Sequence, residues 1–261
     1  MSYNQALYNL YEPRLGNLFD KLKNLEQNQD LKSISSPLLL SVKDEQDHKD
    51  ADVRIMIFGQ ETSSWFRCLE ETIVEHNLNT LLKIYCDFYY WHERGYKDVS
   101  QSPFHNFRDQ LKNQLNDELA KNFPNKKVSY IVNNLYKFGK SGGPGRAPEW
   151  FLELEREHFN VIQEEIRILD IDLCIFLTGP NYDNRIREIF GIEGDILSKF
   201  EEGSSKRSIA RVEAGKLTGI RIYHPAFLRR KSLETENRER VVHFITAVPF
   251  QKRLTEWQLT R

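Results

Sequence analysis

Four short apolar runs, separated by helical patterns, set what this sequence can fold into. Val53–Phe58 is rich in β-branched residues, with Arg54 its polar interruption, and lies between Asp52 and Gly59. Val128–Val132, Asp172–Leu177 and Ile220–Tyr223 are the other three. Runs of this length, closed by turn-forming or polar residues, read as buried strands. The stretches between them read as helices, over Trp65–Leu82, Ser102 to about Leu119, Pro148–Leu169, residues 183–190 and about 194–200, with a closing helix from Glu234 to Phe250. Strands alternating with helices imply a parallel sheet covered on both faces. The expected fold is therefore an α/β/α sandwich of three layers around a mainly four-stranded parallel sheet.

The remaining segments fit around this frame. Apolar residues from Leu7 to Leu22 have helical spacing, which Pro13 should kink or split. Residues 29–37, 43–52, 94–102 and the basic 203–218 read as loops or surface segments. No repeat or linker divides the chain, so a single domain is expected over residues 1–261, with an N-terminal helical extension over about 1–36. The formal charge of −1 excludes a uniformly basic coat and leaves any nucleic-acid site as a local patch. Cys68, Cys86 and Cys174 fit neither a disulfide framework nor a zinc pattern, which points to a reducing, cytoplasmic setting. The seven histidines form no ligand-spaced pair, and no stretch reaches membrane-spanning length. The expectation is a monomer with no metal, cofactor or membrane contact.

Each strand ends in polar groups: Gly59-Gln60-Glu61, Asn133-Asn134, Thr178-Gly179 and His224. In a parallel sheet such ends share one edge, where ligands bind. Gly139-Lys140-Ser141 imitates a phosphate-binding loop, but that motif needs a glycine where Asn134 stands. Lys140 remains in a basic, glycine-rich loop able to touch DNA phosphates.

The ordered set of strand ends resembles the uracil-DNA glycosylase superfamily. That family has a strand ending in Gly-Gln-Asp-Pro-Tyr, a second in a Leu-Leu-Asn type segment, a third near Trp-Gly, and a fourth followed by His-Pro-Ser-Pro-Leu. The corresponding segments here are Gly59-Gln60-Glu61-Thr62-Ser63, Ile131-Val132-Asn133-Asn134, Leu177-Thr178-Gly179 and His224-Pro225-Ala226-Phe227-Leu228. The agreement runs from about residue 50 to 232. Ser102-Pro103-Phe104-His105-Asn106 is similar to the family's Pro-Ser-Leu-x-Asn helix start, which would place Pro103 against DNA.

The resemblance implies hydrolysis of an N-glycosidic bond in single- or double-stranded DNA, on a base extruded from the stack. Glu61 would stabilise the sugar cation and orient a water, and His224 would stabilise the departing base. Asn133 or Asn134, with Asn133 preferred, would read the base edge. Gly59, Gln60 and Ser63 would line the pocket, and one of Phe88, Tyr89 or Phe104 would stack on the base. Pro225 would contact the DNA, and Leu228 would be the wedge filling the vacated stack. Arg229 and Arg230 would hold phosphates, within a cluster that also contains Lys206, Arg207, Arg211, Lys216, Arg221 and Lys231.

Two departures bear on substrate. Glu61 replaces the usual aspartate, and Ser63 replaces a tyrosine that crowds the 5-position of the base. The smaller serine implies a pocket open to 5-substituted or otherwise modified pyrimidines as well as uracil, in repair or in defence against phage DNA. The competing expectations are a DNA-binding module of the same fold without catalysis, and a hydrolase of free nucleosides or nucleotides.

Overall fold

The computed structural model describes residues 1–24, 30–63, 65–75, 77–91, 102–191, 196–202, 204–215 and 217–247. The chain forms two compact units, each drawn from three stretches of sequence. Met1–Glu45, Gln60–Arg94 and Val132–Leu169 make the first; Gln46–Gly59, Gly95–Ile131 and Asp170–Arg261 make the second.

The elements, in chain order, are α1 (Tyr3–Lys23), α2 (Glu45–Lys49), β1 (Val53–Gly59), α3 (Leu69–Val74), α4 (Leu78–Trp91), α5 (Pro103–Asn122), β2 (Val128–Asn134), α6 (Glu149–His158), α7 (Ile162–Ile168), β3 (Leu173–Phe176), α8 (Asp183–Phe190), β4 (Leu197–Lys199), β5 (Ile209–Ala214), β6 (Leu217–Ile222), α9 (Pro225–Arg230) and α10 (Glu234–Ala247). Among the described residues the sheet has six strands, ordered β2-β1-β3-β6-β5-β4. β1 pairs parallel with β3, and β3 with β6, while β5 and β4 continue antiparallel. The fold is α/β, a mostly parallel sheet flanked by helices.

The four expected strands are β1, β2, β3 and β6. β4 and β5 are additions. The helix expected over about 194–200 is a strand in its described part, and the basic stretch 203–218 contains β5. In β5 the charged Arg211 and Glu213 alternate with the buried Ala210, Val212 and Ala214. Charge therefore hides a period-two strand. Gly215, at φ +63°, takes the turn into β6, a conformation glycine adopts without steric cost.

One face of the sheet carries Val53, Ile55 and Ile57 of β1, Leu173 and Ile175 of β3, and Ile220 and Ile222 of β6. It packs on Phe107, Leu111, Leu115 and Leu119 of α5 and Val241, Phe244 and Ile245 of α10. On the other face Phe58 stacks on Phe176 at 4.9 Å, and Phe190 of α8 meets Phe176 edge-on at 6.3 Å. Both faces of these central strands are thus apolar, as parallel strands require.

In the first unit α1 runs unbroken through Pro13. The proline is exposed, and the buried stripe of Leu7, Tyr11, Leu15, Leu18 and Leu22 lies off it. The helix expected over 148–169 is two, because Phe159 and Val161 are both buried where the chain leaves α6. Arg14 donates to the Asn160 carbonyl in that gap at 2.7 Å. The helix expected over 65–82 begins only at Leu69 and breaks before Leu78, while the aromatic run expected at 84–91 falls inside α4. Residues 43–52, expected as a surface loop, include α2 and a buried His48, whose Nδ1 shares a hydrogen bond with Ser129 Oγ at 2.7 Å. Residues 94–101 of the expected loop and 248–250 of the closing helix lie outside the described residues.

Candidate functional site

After β1 the chain enters the first unit as the loop Gln60–Cys68. Gln60 and Glu61 are partly exposed and Ser63 is exposed. The loop is pinned at several points. Tyr136 N–H donates to the Gln60 carbonyl at 3.1 Å. Thr62 Oγ1 and Ser35 Oγ share a hydrogen bond at 2.7 Å, and Gly139 N–H donates to Ser35 Oγ at 3.0 Å. A Cβ at Gly139 would lie 1.6 Å from the Thr62 carbonyl oxygen, so only glycine fits there. Trp65 is buried, with its ring 4.9 Å from Phe88 and 5.9 Å from Tyr89.

The same contacts explain the Gly-Lys-Ser stretch. Lys140 N–H donates to the Gly145 carbonyl and Ser141 N–H to the Ser33 carbonyl, at 2.8 and 2.7 Å. Neither amide is left to cradle a phosphate. The glycine serves a close backbone approach, and Lys140 keeps an exposed side chain.

At the end of β2, Asn133 is fully buried. Its Oδ1 accepts from Lys137 Nζ and from Asn134 N–H, both at 2.8 Å, and its Nδ2 donates to Glu165 Oε2 at 2.8 Å. Lys137 Nζ donates to Glu165 Oε1 at 2.7 Å, and Tyr11 Oη donates to the same oxygen at 2.5 Å. Burial lowers the Lys137 pKa against the pull of Glu165, and burial followed by Glu165 holds the Tyr11 phenol well above its usual range. Asn133, preferred as the reader of the base edge, is therefore locked into an internal network. Asn134, the other asparagine expected there, is placed differently. Its side chain is nearly buried and has no hydrogen-bond partner among the described residues.

Lys137 and Glu165 were missed because each follows the pattern of its neighbours. Lys137 stands among Leu135, Tyr136 and Phe138, and Glu165 falls on the stripe of Ile162 and Leu169. A lone charge at a core position was the available signal.

In the second unit, β3 and β6 end side by side. A Cβ on Gly179 would lie 3.6 Å from the backbone nitrogen of His224. His224 caps α9, its Nδ1 accepting from Ala226 N–H at 3.2 Å, with Pro225 at the first helical position. Burial, then the charge of Arg230, lowers its pKa to about 4. The ring is neutral at pH 7. With Nδ1 as acceptor, the proton sits on Nε2, which has no partner among the described residues. The Phe104 ring lies 6.4 Å from the imidazole, 15° from parallel. Phe104 follows Pro103 at the start of α5, where Ser102 Oγ accepts from His105 N–H at 3.2 Å. Of the three aromatic candidates, Phe104 is the ring beside His224. Phe88 and Tyr89 pack with Trp65 in the first unit.

Three expected DNA contacts, Pro225, Leu228 and Arg221, are corrected, because all three are buried. Leu228 is fully buried in the second unit's core, because α9 turns Pro225 and Leu228, three residues apart, to the same inward face. It cannot serve as a wedge. Arg221 is also fully buried. Its guanidinium holds Asp183 through two 2.9 Å bonds and donates to the carbonyls of Lys206 and Arg207. Arg207, Arg229, Arg230 and Lys231 are exposed, and Lys216 lies outside the described residues.

Among the described residues no group of three His, Cys, Asp or Glu side chains is placed to hold a metal ion, and no helix is long and apolar enough to cross a membrane. No protein-family model and no curated protein matches the chain, which leaves its residues and their geometry as the ground for function.

Proposed function

We propose that the protein is a DNA glycosylase acting on uracil or a 5-substituted pyrimidine. The observation that carries this reading is His224, a neutral imidazole that presents Nε2–H at a strand end while Nδ1 is held by the helix it caps. In the reaction the bond from C1′ to the base nitrogen breaks and its electron pair leaves with the base. Nε2–H stabilises that developing anion without needing to carry a charge. Glu61, in the first unit, stabilises the sugar cation and takes the proton of the water that adds to C1′. Asn134 reads the edge of the base, Phe104 stacks on it, and the small Ser63 admits a substituent at C5. Arg229 and Arg230 contact phosphates. The setting is cytoplasmic, in keeping with the free thiols of Cys68, Cys86 and Cys174.

The test is base release from oligonucleotides carrying uracil, thymine mismatches, 5-hydroxymethylcytosine or its glucosylated form. His224→Ala should lower release about 10²–10³-fold, and Glu61→Gln about 10²–10⁴-fold. DNA binding without release from any substrate would move the assignment to a binding module. Release from free nucleosides alone would move it to a nucleoside hydrolase.

A further inference from the structure

With Leu228 in the core, a ring that meets a nucleobase has to come from the surface. Phe66 stands out. It is 44% exposed, and its backbone is left-handed, at φ +61°. A bulky residue takes that conformation only at a cost, and such outliers persist where the surroundings hold them. Here they do. Trp65, just before it, is buried against Phe88 and Tyr89. Just after it, the Arg67 carbonyl accepts from Ser36 N–H at 2.9 Å and from Ser36 Oγ at 3.1 Å, and Leu69 N–H donates to the Ile34 carbonyl at 2.8 Å. The chain is fixed on both sides, and Trp65 goes inward while Phe66 is left in solvent.

The ring is also prepared for a planar partner. The Arg67 guanidinium lies 4.2 Å from its centroid and is itself held by Glu75. An exposed aromatic ring beside an arginine matches what single-stranded nucleic acids stack on, since every base offers a π face. Phe66 follows Glu61 by five positions on the same pinned loop. The competing candidates are weaker. The Lys137–Glu165 network is sealed, and Arg229 and Arg230 already belong to the reading above.

We propose that Phe66, with Arg67 at its side, stacks on an unpaired nucleobase of the DNA strand that carries the target. The proposal rests on the glycosylase reading for its ligand. It predicts opposite effects on stability and binding, which a packing role would not give. Phe66→Gly relieves the left-handed strain and should raise Tm, yet weaken binding to a thymine-containing single-stranded oligonucleotide about 10-fold or more. Phe66→Trp should keep the affinity, and its emission, taken as the difference from wild type, should be quenched as that oligonucleotide is added. A lower Tm for Phe66→Gly makes the residue structural and overturns the proposal. Unchanged affinity with unquenched emission also overturns it, while wild-type base release leaves the glycosylase reading standing. Failure of the wild type to bind any DNA removes both.

Discussion

Two strand ends, one in each unit, carry polar side chains and treat them in opposite ways. At the end of β2, both ends of the Asn133 amide are engaged by Lys137, Glu165 and the next backbone amide. After β6, His224 uses one ring nitrogen for a helix cap and leaves the other without a partner among the described residues. The first arrangement is sealed: the Lys137 and Glu165 side chains are 1% and 0% exposed. The second stands at an edge, beside Gly179. Buried charges are tolerated only when fully paired, so the sealed end has no capacity for a ligand. A polar residue at a strand end becomes a candidate for chemistry only when one of its atoms is left over.

The sharpest way to break this contrast is Lys137→Met. It strands the Glu165 carboxylate and should cost about 3–5 kcal/mol, read as a lower urea midpoint. The double variant Lys137→Met, Glu165→Gln should recover most of that loss. A single variant of near wild-type stability would mean that the end is not sealed.

The open end should respond to pH instead. The folded His224 pKa, about 4, lies below the ordinary 6.5. Below pH 6.5 the unfolded chain binds the proton first, so stability present at neutral pH is lost as pH falls toward 4. The loss between pH 7 and 5 should be about 2 kcal/mol. His224→Asn, which keeps a capping acceptor, should remove that dependence in urea titrations at the two pH values.

Arg221→Lys asks whether the second unit also contains a sealed pair. It keeps the charge but loses the planar fork on Asp183, and should cost about 1–3 kcal/mol by thermal unfolding. The smallest effect on stability is expected from Arg229→Ala with Arg230→Ala. Tm should hold, while the slope of log affinity for DNA against log salt becomes shallower by about 2.

Much of the architecture was legible. β1, β2, β3 and β6 announce themselves as apolar runs closed by polar residues, because strands buried on both faces have no polar side to hide in. β5 was not, since Arg211 and Glu213 point away from the buried face and dilute the signal, and β4 spans only Leu197–Lys199. The candidate site could be read as a list of residues but not as orientations. Asn133 and Asn134 are adjacent, and a strand sends neighbours to opposite sides. The run Phe227-Leu228-Arg229 offers two apolar residues, and only the helical spacing from Pro225 shows which one goes inward. The split between α6 and α7 left no trace, because Phe159 and Val161 continue the apolar pattern through it.

The interleaving of the two units has a consequence for biosynthesis. The polypeptide passes from one unit to the other at 45/46, 59/60, 94/95, 131/132 and 169/170. Neither unit is a contiguous fragment. On the ribosome the first cannot close until residue 169 has emerged, and the second must then wait for β5, β6 and α10. Long stretches of nascent chain, including the apolar β1, are exposed before their partners exist, so synthesis of this protein should depend more on chaperones than its length alone suggests. Pulse-labelled nascent chains, probed for protease resistance at successive lengths, should show none before about that point.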